Sequence, residues 1–361
     1  MKTPTLLFAL AVGLHFAPTI HAAPLDAFLT ATRPAVQGEG QIELAYDVAN
    51  DTVDILGIRK SNGDTTNLGD YHGGHLRAGI AVTPKLWLDG AVWLRDIDLR
   101  GSEAKVRSWQ IAGQYKLVEG QGSRPAIALR LGAWGNRASR LGEAAAMQFL
   151  GARLDSVNME EPRDRQLQLD AIATWQAFRE WEVSAFGGIG TSHVDTGAIS
   201  GTTTRGGCSY DLAFGPTEVI GTLAEPCSEG TVVERFSVPN SVYGVDVYRE
   251  ARYSSRFAHA GLSTEWSSGP WKLRVGYQFQ ILRRGRIDDI VRRRGGEPST
   301  RNHILAGEVA YRIGRNVSLF LRGQYMQRQF TGEIPFAYNT FTARRFHKKY
   351  GIASAGVVFR F

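Results

Sequence analysis

Trp271, Leu273, Val275, Tyr277, Phe279 and Ile281 occupy every second position of one stretch, with Lys272, Arg274, Gly276, Gln278 and Gln280 between them. A period of two belongs to a β-strand, whose successive side chains point to opposite faces, so this stretch has one apolar and one polar face. The alternation recurs at 42–48, 76–82, 86–94, 109–117, 127–133, 167–177, 181–189, 258–266, 305–313, 317–325 and 353–361. About twelve such strands are expected, each long enough to cross a bilayer when tilted. The connections sort by length. Brief ones rich in turn formers, at 83–85, 119–124, 179–180, 267–270 and 314–316, alternate with long ones at 49–71, 137–164, 191–251, 284–301 and 327–346. Only the link at 96–104 is short among the second set. A soluble sandwich has no reason to sort its loops in this way, whereas a membrane barrel has short turns at one rim and long loops at the other. The expected fold is an all-β, transmembrane, antiparallel up-and-down β-barrel over 41–361.

The N-terminus agrees with export. Met1-Lys2, an apolar stretch from Leu6 to Phe16 and the small-residue end at Ala22 read as a signal peptide over 1–22. A short periplasmic segment is then expected over 23–40. Export places Cys208 and Cys227, the only cysteines, in an oxidising compartment and favours a disulfide over a metal site. Beyond the signal, no run approaches the roughly 20 apolar residues of a membrane helix. The mean hydropathy of −0.21 fits a barrel as well as a soluble protein, because half of each strand faces a polar interior. The net charge of +7, on an exported chain, points to anionic lipopolysaccharide or an acidic solute and not to nucleic acid.

The tail Ala353, Ala355, Val357, Phe359, Phe361, with its terminal aromatic, resembles the C-terminal strand of Gram-negative outer-membrane β-barrels. That resemblance implies recognition by the barrel-insertion machinery and residence in the cell outer membrane, among its lipid and lipopolysaccharide. Trp181, Trp266, Trp271, Tyr311, Tyr325 and Tyr115 sit near strand ends, where an interfacial girdle would hold them.

The polar faces carry Glu43, Arg77, Asp89, Arg130, Asp170, Glu265, Arg274, Glu308 and Arg322, joined by Arg95, Glu182, Gln110, Gln114 and Gln278. Both signs occur in similar number, so these lumen charges either cross-link the interior as ion pairs or line a charged pore. One long loop holds Arg283, Arg284, Arg286, Arg292, Arg293 and Arg294, and another Arg344, Arg345, His347, Lys348 and Lys349. Guanidinium groups match phosphate in charge and bidentate geometry, so the first cluster is read as an anion or lipopolysaccharide contact, or as a funnel for a small anionic solute. The 191–251 loop, closed by its cysteines, either folds inward as a constriction or caps the surface.

An enzyme has a weaker basis. Val48-Ala49-Asn50-Asp51 resembles the Asn-Asp segment of lipid A 3′-O-deacylases, in which the pair implies calcium or substrate binding; His72 and His75 precede the second strand and are expected near it. The stretch 137–164, where that family has its catalytic histidine, contains none here, which leaves His72 as the substitute general base. His193 and Asp195 resemble the Asp/His pairing of omptin proteases, without a second acidic pair. The His-Glu-Ser-Asn motif of outer-membrane phospholipase A is missing. The expected function is therefore a small passive channel with basic external loops, using no cofactor and no metal. A lipid A or phospholipid hydrolase at Asn50, Asp51, His72 and His75, and a closed structural or adhesion barrel, are the alternatives.

Overall fold

A computed structural model describes residues 26–32, 36–50, 68–99, 103–143, 147–149, 152–228, 232–240, 246–328, 332–340, 343 and 349–361. The expected signal peptide, Asp51 and the 344–348 basic cluster lie outside the described residues.

The alternating segments form strands β1 (Gly40–Asn50), β2 (Leu68–Ala81), β3 (Leu86–Leu99), β4 (Glu103–Val118) and β5 (Ala126–Ala138). Short strands β6 (Arg140–Glu143), β7 (Met147–Phe149), β8 (Ala152–Leu154) and β9 (Ser156–Glu160) occupy the next long loop, followed by β10 (Arg163–Phe178) and β11 (Trp181–Asp195). The longest loop contains β12 (Ile199–Arg205), β13 (Cys208–Phe214), β14 (Glu218–Glu225) and β15 (Arg235–Pro239). The chain ends through β16 (Tyr253–Ser268), β17 (Trp271–Arg283), β18 (Arg301–Arg312), β19 (Val317–Met326) and β20 (Tyr350–Arg360).

Twelve of these close into one antiparallel barrel in the order β1-β2-β3-β4-β5-β10-β11-β16-β17-β18-β19-β20, with β20 pairing back onto β1. Every expected spanning segment is one of its strands. Closure uses the last residue: the Gly40 N–H donates to the Phe361 carbonyl at 2.9 Å, and the Phe361 N–H to the Gly40 carbonyl at 3.0 Å. Residue 40 is glycine because a Cβ there would lie 2.5 Å from the Phe361 ring.

Strand parity sorts the side chains. Leu44, Leu94, Ile111, Leu131, Ile189, Leu262 and Leu321 are exposed on the outer wall, an arrangement that is stable where lipid is the solvent. At the short-turn rim this wall carries Trp181, Trp271, Tyr311, Tyr115, Phe359 and Phe361, with Trp271 and Tyr311 edge to face at 4.7 Å. The long-loop rim carries a second sheet, ordered β15-β14-β13-β12-β9-β6 and packed around Val157, Ile199, Leu212, Phe214 and Val219. The Cys208–Cys227 disulfide ties the start of β13 to the chain beyond β14. The 191–251 loop thus supplies four of this sheet's six strands.

Replacing the exposed Leu321 by arginine tests which solvent covers this wall. On a lipid-facing strand the change costs about 2–4 kcal/mol in vesicle refolding titrations; on a water-facing surface it would cost less than about 0.5 kcal/mol.

Candidate functional site

Glu43, Arg77, Asp89, Arg95, Arg130, Asp170, Arg274 and Glu308 are buried, and Glu182, Glu265 and Arg322 are half-buried. They are paired across strands. Asp89 on β3 receives both terminal nitrogens of Arg130 on β5, at 2.7 and 2.8 Å. Asp170 on β10 lies 2.9 Å from His259 on β16, and Glu265 on β16 lies 2.7 Å from Lys272 on β17. A longer chain starts at Arg274 on β17, which pairs with Glu308 on β18. Glu308 also meets Arg322 on β19 at 2.9 Å, and Arg322 reaches Glu43 on β1 at 3.1 Å. His75 on β2 bridges Glu43 at 3.0 Å and Asp47 at 2.7 Å, and Asp47 accepts from Ser354 on β20 at 2.6 Å. This chain of partners crosses the seam where first and last strands join.

The lumen is also occupied by the chain itself. Residues 26–32, expected in the periplasm, instead run inside the barrel, with Ala27, Phe28, Leu29, Thr30 and Ala31 all buried. The correction has a physical reason: the barrel wall presents partners for this strap's backbone and hydroxyls. Gln114 donates to the Thr30 carbonyl at 2.9 Å, the Ala31 N–H donates to the Thr174 hydroxyl at 2.8 Å, and the Thr30 hydroxyl donates to Glu182 at 2.6 Å. Phe28 lies under the Arg274 guanidinium, 4.7 Å from ring centre to cation. The wall makes room for the strap at Gly276, where a Cβ would stand 2.0 Å from the Ala27 carbonyl oxygen.

A second insert enters from the long-loop end. Glu333, beyond β19, receives Arg95 of β3 at 2.5 Å, and its carbonyl accepts from Asn136 of β5 at 2.8 Å. The Tyr253 hydroxyl lies 2.6 Å from both the Pro335 and the Tyr338 carbonyls. Tyr338 is fully buried under the Arg284 guanidinium at 3.9 Å and its hydroxyl accepts from the Ser299 N–H at 3.0 Å; burial pushes its phenol up. Between strap and loop lies a cavity of about 70 Å³, room for a few water molecules. Asp26, Asp47, His75, Arg77, Arg95, Arg322 and Glu333 line it. Elsewhere among the described residues, carboxamide atoms of Gln41, Gln110, Gln278, Gln280 and Asn302 are buried without a protein partner. These carboxamides make the interior polar as well as charged.

Of the residues of the enzyme reading, the two histidines do not share a face. His72 and His75 are three apart on β2, and strand parity sends them to opposite faces: His72 is exposed outside, 4.0 Å from Asp96, while His75 is a buried lumen residue. Asn50 ends β1. His193 and Asp195 share the outer face of β11, but each has its own partner, Ser254 at 3.0 Å and Arg163 at 2.6 Å. Of the loop arginines, Arg284 is buried against Asp288 and Ser299, and Arg294 forms a bidentate pair with Glu250 at 2.8 and 2.9 Å. Arg283, Arg286, Arg292 and Arg293 are exposed, the last three on helix α1 (Arg286–Arg293).

No protein-family model matches the chain, and no curated protein matches its sequence. Among solved structures it is similar to the CymD monoaromatic hydrocarbon channel, at 10% identity over 95% of each chain with a TM-score of 0.43. It is also similar to the translocator domain of autotransporter NalP from Neisseria meningitidis, at 12% identity over 90% of this chain and 89% of that one, TM-score 0.47. A third, the NanC porin, is 7% identical over 88% of this chain and 98% of the other, TM-score 0.39. At such identities the likeness concerns the fold and not the chemistry of the lumen.

Glu308→Gln leaves Arg274 without its carboxylate and takes one of two from Arg322. The expected loss is about 3 kcal/mol in denaturant unfolding from vesicles. A loss below about 0.5 kcal/mol would mean that the pair behaves as a solvated surface pair.

Proposed function

We propose that the protein is an outer-membrane channel, shut at rest by two pieces of its own chain. The observation that carries this reading is the division of labour in the lumen. The wall is polar and its charges are largely neutralised in pairs, whereas the axis is blocked by the strap 26–32 and the loop 333–339, with a polar cavity left between them. A wall shaped only for rigidity needs no such inserts. The strap belongs to none of the twelve barrel strands, so it can leave without breaking one.

The solute class that fits a narrow, polar, charge-lined lumen is small and hydrophilic. The exposed Arg286, Arg292 and Arg293 favour anions at the mouth by electrostatic focusing, an effect that weakens as salt rises. The apolar outer wall and the terminal Phe361 support residence in the outer membrane of a Gram-negative cell, after delivery by the barrel-insertion machinery.

Planar-bilayer recording of refolded protein tests the reading. Wild type is expected to show rare, brief openings, and a variant lacking residues 26–32 long-lived unit steps. Silence of both proteins across voltage and salt would favour the closed structural barrel instead.

A further inference from the structure

The outer wall is apolar up to a sharp level near the long-loop rim, and there it becomes basic. Arg107 on β4, Arg137 on β5, Arg165 on β10, Arg256 on β16, Arg283 on β17 and Arg301 on β18 are all exposed on the outward face. Some face one another in register. Arg107 is opposite Arg137, Arg137 is also opposite Arg163 of β10, and Arg256 is opposite Arg283. Arg301 is opposite Ile281, two residues below Arg283.

Like charges directly opposite in a sheet repel, so such pairs favour a counter-charge beside them. The protein supplies part of that counter-charge, through Arg137–Glu161 at 2.7 Å and Arg163–Asp195 at 2.6 Å. Arg107, Arg165, Arg256, Arg283 and Arg301 have no acidic partner among the described residues.

Their height identifies the missing anion. The Arg256–Arg283 pair stands about twelve residues above Ser268–Trp271, the last pair of its hairpin. At about 3.3 Å per residue and a tilt of about 40°, that is roughly 30 Å above the short-turn rim, the thickness of a bilayer's hydrocarbon core. Below it the same strands show Leu262, Val275 and Tyr277 to lipid, and the aromatic girdle marks the opposite interface. The exposed Lys349, directly ahead of β20, stands at a similar height.

We infer that this arc is a binding surface for phosphorylated lipid headgroups of the outer leaflet, each phosphate lodged between arginines of adjacent strands. Guanidinium pairs suit it because they grip phosphate oxygens bidentately and stay charged at any physiological pH. Such contacts would hold lipid headgroups against the barrel independently of whether the lumen conducts.

Native mass spectrometry of the full barrel in detergent tests this with bisphosphorylated lipid A as the probe. Wild type should retain it. The Arg256→Gln/Arg283→Gln/Arg301→Gln variant should lose between about tenfold and hundredfold in apparent affinity. A control with the same charge change at the opposite rim, Arg124→Gln/Arg179→Gln/Arg315→Gln, should bind as wild type. Heat-modifiable gel mobility confirms that each variant folds, and the corresponding lysine variant should recover part of the binding. Equal retention by wild type and the arc variant, an equal loss in the control, equal retention of phosphate-free lipid A, or displacement by equimolar inorganic phosphate would each overturn the inference. Conductance is a separate readout, so the channel can fail while the lipid surface stands, or the reverse.

Discussion

The structure depends on every charge that strand parity sends inward finding a partner there. Burying an unpaired charge costs several kcal/mol. The solution is lateral. Arg274, Glu308, Arg322, Glu43, His75 and Asp47 hand charge from β17 around to β2, across the seam closed by β1 and β20. A one-residue slip in any of these strands would turn its charges into lipid, so the ion pairs and the apolar outer wall fix the same register from two sides.

That pairing explains why the lumen is narrow without being solid. Side chains committed to their neighbours along the wall leave the axis free, and the strap and the Glu333 loop fill it. Both inserts use groups the wall leaves over: Gln114, Thr174 and Glu182 for the strap, Arg95 and Asn136 for the loop. The inserts are therefore separate from the strands of the wall.

Much of the barrel was legible because its signal is local. A period of two names both the strand and the face of each residue, and Glu43, Arg130, Arg274 and Glu308 followed by counting. The same counting separates His72 from His75, three apart and hence on opposite faces. The strap left no such trace: Ala27 to Thr32 is short and aperiodic, and its hydrogen-bond partners on the wall are 84 to 152 residues away. Glu333 meets Arg95 across 238 residues, a distance over which no spacing rule operates. The β12–β15 strands, of five to eight residues in a long polar loop, are too brief for alternation to stand out.

The claim that the lumen is occupied by the chain's own N-terminal segment is tested most directly by thiol labelling. Thr30→Cys, made in the refolded barrel with its native disulfide intact, places a single free thiol beside Thr174 and Glu182. The account predicts that a bulky, charged maleimide leaves this thiol unmodified until the barrel is denatured. Labelling in the folded protein as fast as that of a thiol in an unstructured peptide would contradict it.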